Sequence, residues 1–255
     1  MKPEQSFRIS ALAVAVVLVA WLTATVGGFV GEKVLPSPVV IARELWTLIE
    51  QGYAGTPLYQ HLYASLLRTF VGFGCGAALA IPVGLAIGYN PYLYAVVSPF
   101  LAMLRPIPVI AYIPLVILWF GIGEFSKILL ISLTSFLYIS VNAAAGVKSV
   151  SIDLIRAAQS LGVSRRQMFL HVVLPESLPY IFAGLRIGAA VSWAVVVAAE
   201  LVAAQRGLGY MIMDAATFFR IPSVYVGVVL IGSIGFFIDR SIGIAERRLV
   251  HWHGR

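Results

Sequence analysis

Charge is what this 255-residue sequence has least of: Asp, Glu, Lys and Arg make up 11% of it, while 60% is hydrophobic. Soluble domains carry roughly a quarter charged residues, so the composition speaks against a water-soluble globular enzyme. Cysteine is nearly absent as well. The single Cys75 lies in an apolar run and reads as a small buried hydrophobe; one thiol builds neither an intramolecular disulfide nor a multi-cysteine metal site. The chain also lacks a Gly-x-x-x-x-Gly-Lys-Ser/Thr phosphate loop, a His-Glu-x-x-His pair and a nucleophile elbow. Gly121-Ile-Gly-Glu-Phe-Ser-Lys127 has glycines and a lysine at the wrong spacing, and His61, His171, His251 and His253 are scattered. The expectation is a non-enzyme that binds no cofactor or metal itself.

Long apolar runs are what the sequence does have, and the mean hydropathy is +0.93. No charge occurs between Arg8 and Glu32, and those 23 residues would form a helix of about 34 Å, enough for a hydrocarbon core of about 30 Å. A cleavable signal has a shorter apolar stretch, so this reads as a retained first span. The charge-free window Thr69 to Leu104 is too long for one crossing and is broken by Asn90-Pro91. Span two is placed at about 66–89, with 92–104 a shorter segment near the interface or half-inserted. Span three covers about 107–120, span four 125–147, span five 182–204 and span six 221–238. The predicted fold is all-α, a polytopic membrane protein with six transmembrane helices. It divides into an N-terminal span and outer segment (1–65), a transmembrane core (66–245) and a basic tail (246–255).

Cations near the span ends set the orientation. With a cytoplasmic N-terminus, the inner segments hold Lys2, Arg8, Arg105, Lys148, Arg156, Arg165, Arg166, Arg186, Arg240, Arg247, Arg248 and Arg255. The outer ones hold only Lys33, Arg43, Arg68, Lys127, Arg206 and Arg220. Both termini are expected inside, and the net charge of +7 is assigned to the lipid of the inner leaflet rather than to nucleic acid.

Within the spans, Gly72, Gly76, Ala80, Gly84 and Gly88 place small residues at every fourth position, a stripe that lets another backbone approach closely. The stripe reads either as tight helix packing or as a surface that slides during gating, and Pro82 within it is expected to kink the helix. Pro106 and Pro108 open span three and Pro114 interrupts it; freed carbonyls at membrane depth suit a watery cavity, which makes these prolines pathway candidates beside a kinked packing helix. Glu200 is the deepest carboxylate and the fourth pathway candidate, although it falls near the outer end of span five. Arg186 and Asp239 flank inner ends and are expected to snorkel.

The most informative stretch is the polar island between spans four and five, within 148–181. Ser151 caps a helix whose first turn carries Asp153, Gly162 suits the left-handed residue that ends it, and Ser164 with Gln167 forms a capping box for a second helix. Val163 and Met168 occupy staple positions, and Pro175 is expected to end that second helix. Met168, Phe169 and Leu170 beside Arg165 and Arg166 read as an exposed apolar knob with a basic rim, a docking surface for a soluble partner or else a loop packed on its own helices.

Arg156-Ala157-Ala158, three residues, Gly162, nine residues and then Val172-Val173-Leu174-Pro175 closely resembles the signature loop of binding-protein-dependent ABC transporter permeases. That signature has Glu where Arg156 stands and Ile where Val172 stands. Leu35-Pro36-Ser37-Pro38, the run from Arg105-Pro106-Ile107-Pro108 to Trp119-Phe120-Gly121-Ile122-Gly123, and Arg206-Gly207-Leu208-Gly209-Tyr210 are similar to the taurine, alkanesulfonate and nitrate branch; the tail Trp252-His253-Gly254 leans towards taurine. The resemblance implies an inner-membrane importer subunit that pairs with a second copy of itself, with two ABC ATP-binding subunits that carry ATP and Mg, and with a periplasmic substrate-binding protein. The coupling loop would then comprise Arg156, Ala157, Ala158, Gly162, Ser164, Arg165, Arg166, Met168, Phe169, Leu174 and Pro175. Two rivals use Glu200 instead: a proton-coupled secondary transporter and a membrane-embedded enzyme.

Overall fold

The computed structural model describes residues 3–32 and 34–252. Lys2, Lys33 and Arg255 of the charge count, and His253 and Gly254 of the tail, lie outside the described residues. All regular elements among the described residues are helical. Helices α1 (Pro3–Val26) and α2 (Pro38–Gln51) precede the long α3 (Leu58–Tyr89). Asn90 breaks the chain as expected, accepting from the Tyr92 and Leu93 amides to cap α4 (Pro91–Leu104). A 3-10 turn (Val109–Tyr112) leads to the short α5 (Ile113–Phe120), and α6 (Glu124–Lys148) follows. The polar island forms α7 (Ile152–Ser160) and α8 (Arg165–Met168), and α9 (Leu174–Ala203), α10 (Leu208–Thr217) and α11 (Ile221–Leu249) complete the chain.

At the centre, α6 packs between α3 and α9. The small-residue stripe is the contact between α3 and α6: a Cβ on Gly72 would lie 2.7 Å from that of Ile131, one on Gly76 2.5 Å from the Ser132 carbonyl, and one on Gly88 2.7 Å from the Ala144 carbonyl. Partner numbers rise together, so the two helices are parallel. Ser135 and Ser192 share a hydrogen bond of 2.8 Å and Gly146 lies against Ser177 and Tyr180, so α9 runs antiparallel to α6. Helix α11 returns along α9, where Trp193 donates to the Ile231 carbonyl at 3.0 Å.

Two parallel helices in one bundle require the chain between them to travel back across it. Helix α4 and residues 109–120 make that return as two apolar halves bent by 85°. At 14 residues, α4 is only about 21 Å long, so neither half crosses alone. Span three is thus half of a broken span, with Pro106 and Pro108 at the bend. Pro114 does not interrupt a helix; it occupies the first turn of α5, where its missing amide costs nothing. Arg105, assigned above to an inner segment, sits at the bend and lines a small crevice with Leu137 and Tyr138, halfway along α6.

Four helical runs are long and apolar enough to cross a membrane, and five if the bent pair counts as one. The expected sixth, α1, has a described apolar stretch of only Ala11–Val26, about 24 Å by helical rise. Two helices start well before their expected spans. Helix α3 begins at Leu58, because His61, Ser65 and Arg68 find partners inside the protein rather than needing water. The run containing α9 begins at Arg165. Pro175 does not end the second loop helix: residues Phe169–Val173 widen into a π-turn that joins α8 to α9. A widened turn accommodates the amide that proline lacks and lets the helix continue. Helix α3 likewise continues through Pro82.

Candidate functional site

At one end of the bundle the polar island folds into the helix, glycine corner and helix expected of it. The Ser151 hydroxyl accepts from the Leu154 amide at 3.2 Å, which starts α7. Helix α7 ends in a Schellman motif: the Val163 amide reaches the Ala158 carbonyl and the Gly162 amide the Gln159 carbonyl at 2.9 Å, with Gly162 at φ +71°. A side chain at 162 would meet no neighbour, so glycine is required there by conformation alone. Ser164 and Gln167 complete the capping box of α8.

Ala158, Val163 and Met168 are rooted in a cluster with Val147, Val150, Val173 and Ile181, and Phe169 packs edge-on against Tyr89. The knob is therefore not Met168 and Phe169, whose side chains turn inwards. Leu161 takes that place at the corner, 84% exposed, with Leu170 partly exposed behind it. The clue to Leu161 in the sequence is that it directly precedes the turning glycine, where the chain leaves the core. Ala157, Arg165 and Arg166 are exposed, Leu174 and Pro175 half-buried. Arg156 is exposed and, among the described residues, pairs only with Asp153 of its own helix, at 4.0 Å.

At the opposite end lies a buried polar cluster. Glu200 is 1% exposed, and its carboxylate accepts from Ser65 Oγ at 2.9 Å, from Arg68 Nη1 at 2.6 Å and from the Gly209 amide at 3.0 Å. Arg68 also donates to Glu124 through Nε and Nη2 and to the Arg206 carbonyl at 2.7 Å, and Lys127 reaches Glu124 at 3.0 Å. Ser65 in turn accepts from the Leu208 amide at 2.9 Å, and His61 from the Gly207 amide at 3.2 Å. These bonds tie the turn after α9 to α3 and α6. Gly207 adopts φ +133°, and a Cβ there would run into the Glu200 carboxyl. Beside it Tyr53 donates to Asp214 at 2.8 Å; burial and that carboxylate push the phenol above its ordinary range.

Glu200 thus stands apart from Pro106, Pro108 and Pro114, which are exposed at the bend and the start of α5. Arg186 and Asp239 form a bidentate pair, both bonds 2.9 Å, that links α9 to α11 rather than snorkelling separately. The pairing of Arg68 with Glu200 was missed by sequence reasoning. Its signal is that a lone cation and a lone carboxylate, each inside an otherwise apolar span, need each other.

Comparison with known proteins places the chain in a family. Residues 79–251 match the family described as binding-protein-dependent transport system inner membrane component. The taurine transport system permease protein TauC of Escherichia coli is 43% identical, over 98% of this chain and 92% of its own length. The putative aliphatic sulfonates transport permease protein SsuC of Bacillus subtilis is 36% identical, over 93% and 85% respectively. The same fold occurs in the MetNI methionine ABC transporter in an inward-facing conformation, with a TM-score of 0.66, 22% identity, and coverage of 75% of this chain and 95% of that one. These relatives are transport components rather than enzymes, and the chain belongs to the inner membrane components of binding-protein-dependent transport systems.

Proposed function

We propose that this chain is the permease subunit of an ATP-driven importer for a small sulfonate such as taurine, handed over by an outer binding protein. It would work as a pair with a second copy and with two ATP-binding subunits, which hold the ATP and Mg, and with the loop end and both termini in the cytoplasm. The sulfonate assignment draws on the names carried by TauC and SsuC.

The observation that carries the mechanism is the continuity of the run from Arg165 to Val202, with the Leu161 corner at its foot. A soluble ATPase that grips Leu161 and the surrounding basic rim moves the corner. Because Ala158, Val163 and Met168 root that corner in the cluster around Val173 and Ile181, the motion reaches α9 as a lever rather than being lost in a loose loop. Nucleotide then biases a two-state bundle through different contacts in each state. The Glu200 rivals draw less support. Glu200 is buried, and each of its carboxylate oxygens accepts from groups of this chain, Ser65, Arg68 and the Gly209 amide, as a structural ion pair does.

The test is co-purification of the ATP-binding subunit with this chain, alongside ATP-dependent uptake of labelled taurine by cells. Gly162→Val strains the corner and Leu161→Asp puts a charge into the docking surface; each is expected to lose the ATPase and uptake while the chain remains in the membrane. Full uptake in both variants would overturn the coupling role.

A further inference from the structure

A cavity of about 470 Å³ opens at the loop end of the bundle, between α3, α4, α6 and α9. Its polar lining consists of Arg105, Lys148, the hydroxyls of Tyr94, Ser98, Ser149 and Tyr180, and no carboxylate; the remaining wall is aliphatic. The two cations lie at different depths. Lys148 ends α6 at the mouth, with its ammonium 2.7 Å from the centre of the Tyr94 ring. Arg105 stands at the bend of the broken span and also lines a small crevice together with Leu137 and Tyr138. Ten residues of α6 separate that level from Lys148, about 15 Å of helical rise.

Neither cation belongs to an ion pair among the described residues, in contrast to Arg68, Lys127 and Arg186. A guanidinium halfway through an apolar bundle with no carboxylate facing it is expensive unless water or an anion meets it. Ser149 Oγ donates to the Gly146 carbonyl at 2.8 Å, which leaves Tyr94, Ser98 and Tyr180 as the hydroxyl-bearing residues of the lining that suit a tetrahedral oxyanion, and guanidinium can bind two of its oxygens at once. The cavity is far larger than a two-carbon sulfonate, so the anion would keep part of its hydration and be held weakly. Weak, stepwise holding is what passage requires, since a site must release what it admits. Cations are common at the C-terminus of a helix, and Lys148 in the last turn of α6 and Arg105 as the C-cap of α4 both hold that position. What it leaves unexplained is that Arg105 stands halfway along the bundle with no carboxylate partner among the described residues.

We propose that Arg105 and Lys148 are the deep and shallow stations of an oxyanion cavity through which the sulfonate group leaves the membrane at the coupling-loop end. The proposal deepens the importer reading and rests on it. The complex of this chain with its ATP-binding subunit, reconstituted in discs of zwitterionic lipid, would be titrated with radiolabelled taurine at low and high salt, and labelled taurine uptake would be measured in cells. Saturable binding that weakens with salt is expected. The Arg105→Gln, Lys148→Gln double variant should bind about tenfold more weakly or worse, and Arg105→Lys, Lys148→Arg within about threefold of the parent. Recovery of the ATPase subunit with each variant reports that it has folded; if the glutamine variant does not assemble, the salt dependence of the parent decides.

Salt-insensitive binding, or a glutamine variant that binds and transports as the parent does, overturns the cavity assignment and leaves the importer reading standing. A parent that takes up no sulfonate overturns both. Anionic lipid that co-purifies with the parent but not with the glutamine variant, without taurine binding, makes the occupant a lipid headgroup and overturns the sulfonate assignment.

Discussion

Arg68 shows how one side chain can settle the position of a whole turn. Its guanidinium lies between Glu200, which is fully buried, and Glu124, which is largely open to solvent, and a further hydrogen bond to the Arg206 carbonyl fixes the approach of the chain after α9. Removing one member of a buried pair leaves the other uncompensated, and the loss is about 3–5 kcal/mol. In Glu200→Gln the new amide would also face two or three donors, so one of Ser65, Arg68 and the Gly209 amide would go unsatisfied. The variant is expected to lower the stability of the purified complex by about 3 kcal/mol, read from its unfolding midpoint, with transport falling in proportion to the folded fraction. Combining it with Arg68→Gln should cost less than the two changes separately, because the pair acts as a unit. Unchanged stability with abolished transport would instead return Glu200 to the pathway.

The contact between α3 and α6 depends on absent side chains. Gly84 is the tightest point: a Cβ there would collide with the Ser140 carbonyl of α6 and lie 2.8 Å from Ala143. Backbone cannot yield as a side-chain tip can, so Gly84→Leu should separate the helices at a cost of about 3 kcal/mol or more. The expected readout is loss of assembled, detergent-stable complex, whereas a leucine at the exposed Gly74, where nothing lies within 4 Å, should leave the packing of α3 on α6 intact. Equal yields for both variants would refute the packing role. This stripe was legible in the sequence because it is periodic, and so were the caps at Ser151, Ser164 and Asn90, which are local. Proline was read less well. Pro175 lies within a continuous helix because a π-turn absorbs its missing donor, and Pro114 begins a helix instead of breaking one. The Arg68–Glu200 pair joins positions 132 residues apart, a relation that no local spacing encodes.

At the scale of the molecule, the two ends of the bundle differ in kind. One is locked by Arg68, Glu200 and the bonds to Gly207 and Leu208, while the other carries the exposed corner and the cationic cavity. A lever needs such an arrangement, with a fixed end and a driven end. The orientation follows from which end meets the ATPase, and it can be read chemically. Cys75, expected from its apolar run to be buried, is instead exposed on α3, and as the chain's one cysteine it must first become serine. Leu161→Cys and Ile122→Cys then place single thiols on side chains 84% and 76% exposed, at the corner and at the turn before α6. The route between them follows α6, whose 25 residues span about 37 Å, so the two thiols lie on opposite faces of the bilayer. A membrane-impermeant maleimide should label position 122 in intact spheroplasts and position 161 only after the membrane is opened. The ATPase subunit, once bound, should shield 161 and leave 122 unaffected. Labelling of 161 from outside would invert the orientation, and with it the assignment of the cationic cavity to the exit side. Shielding of 122 by the ATPase would place the driven end at the Arg68–Glu200 cluster, and the lever would have to run the other way.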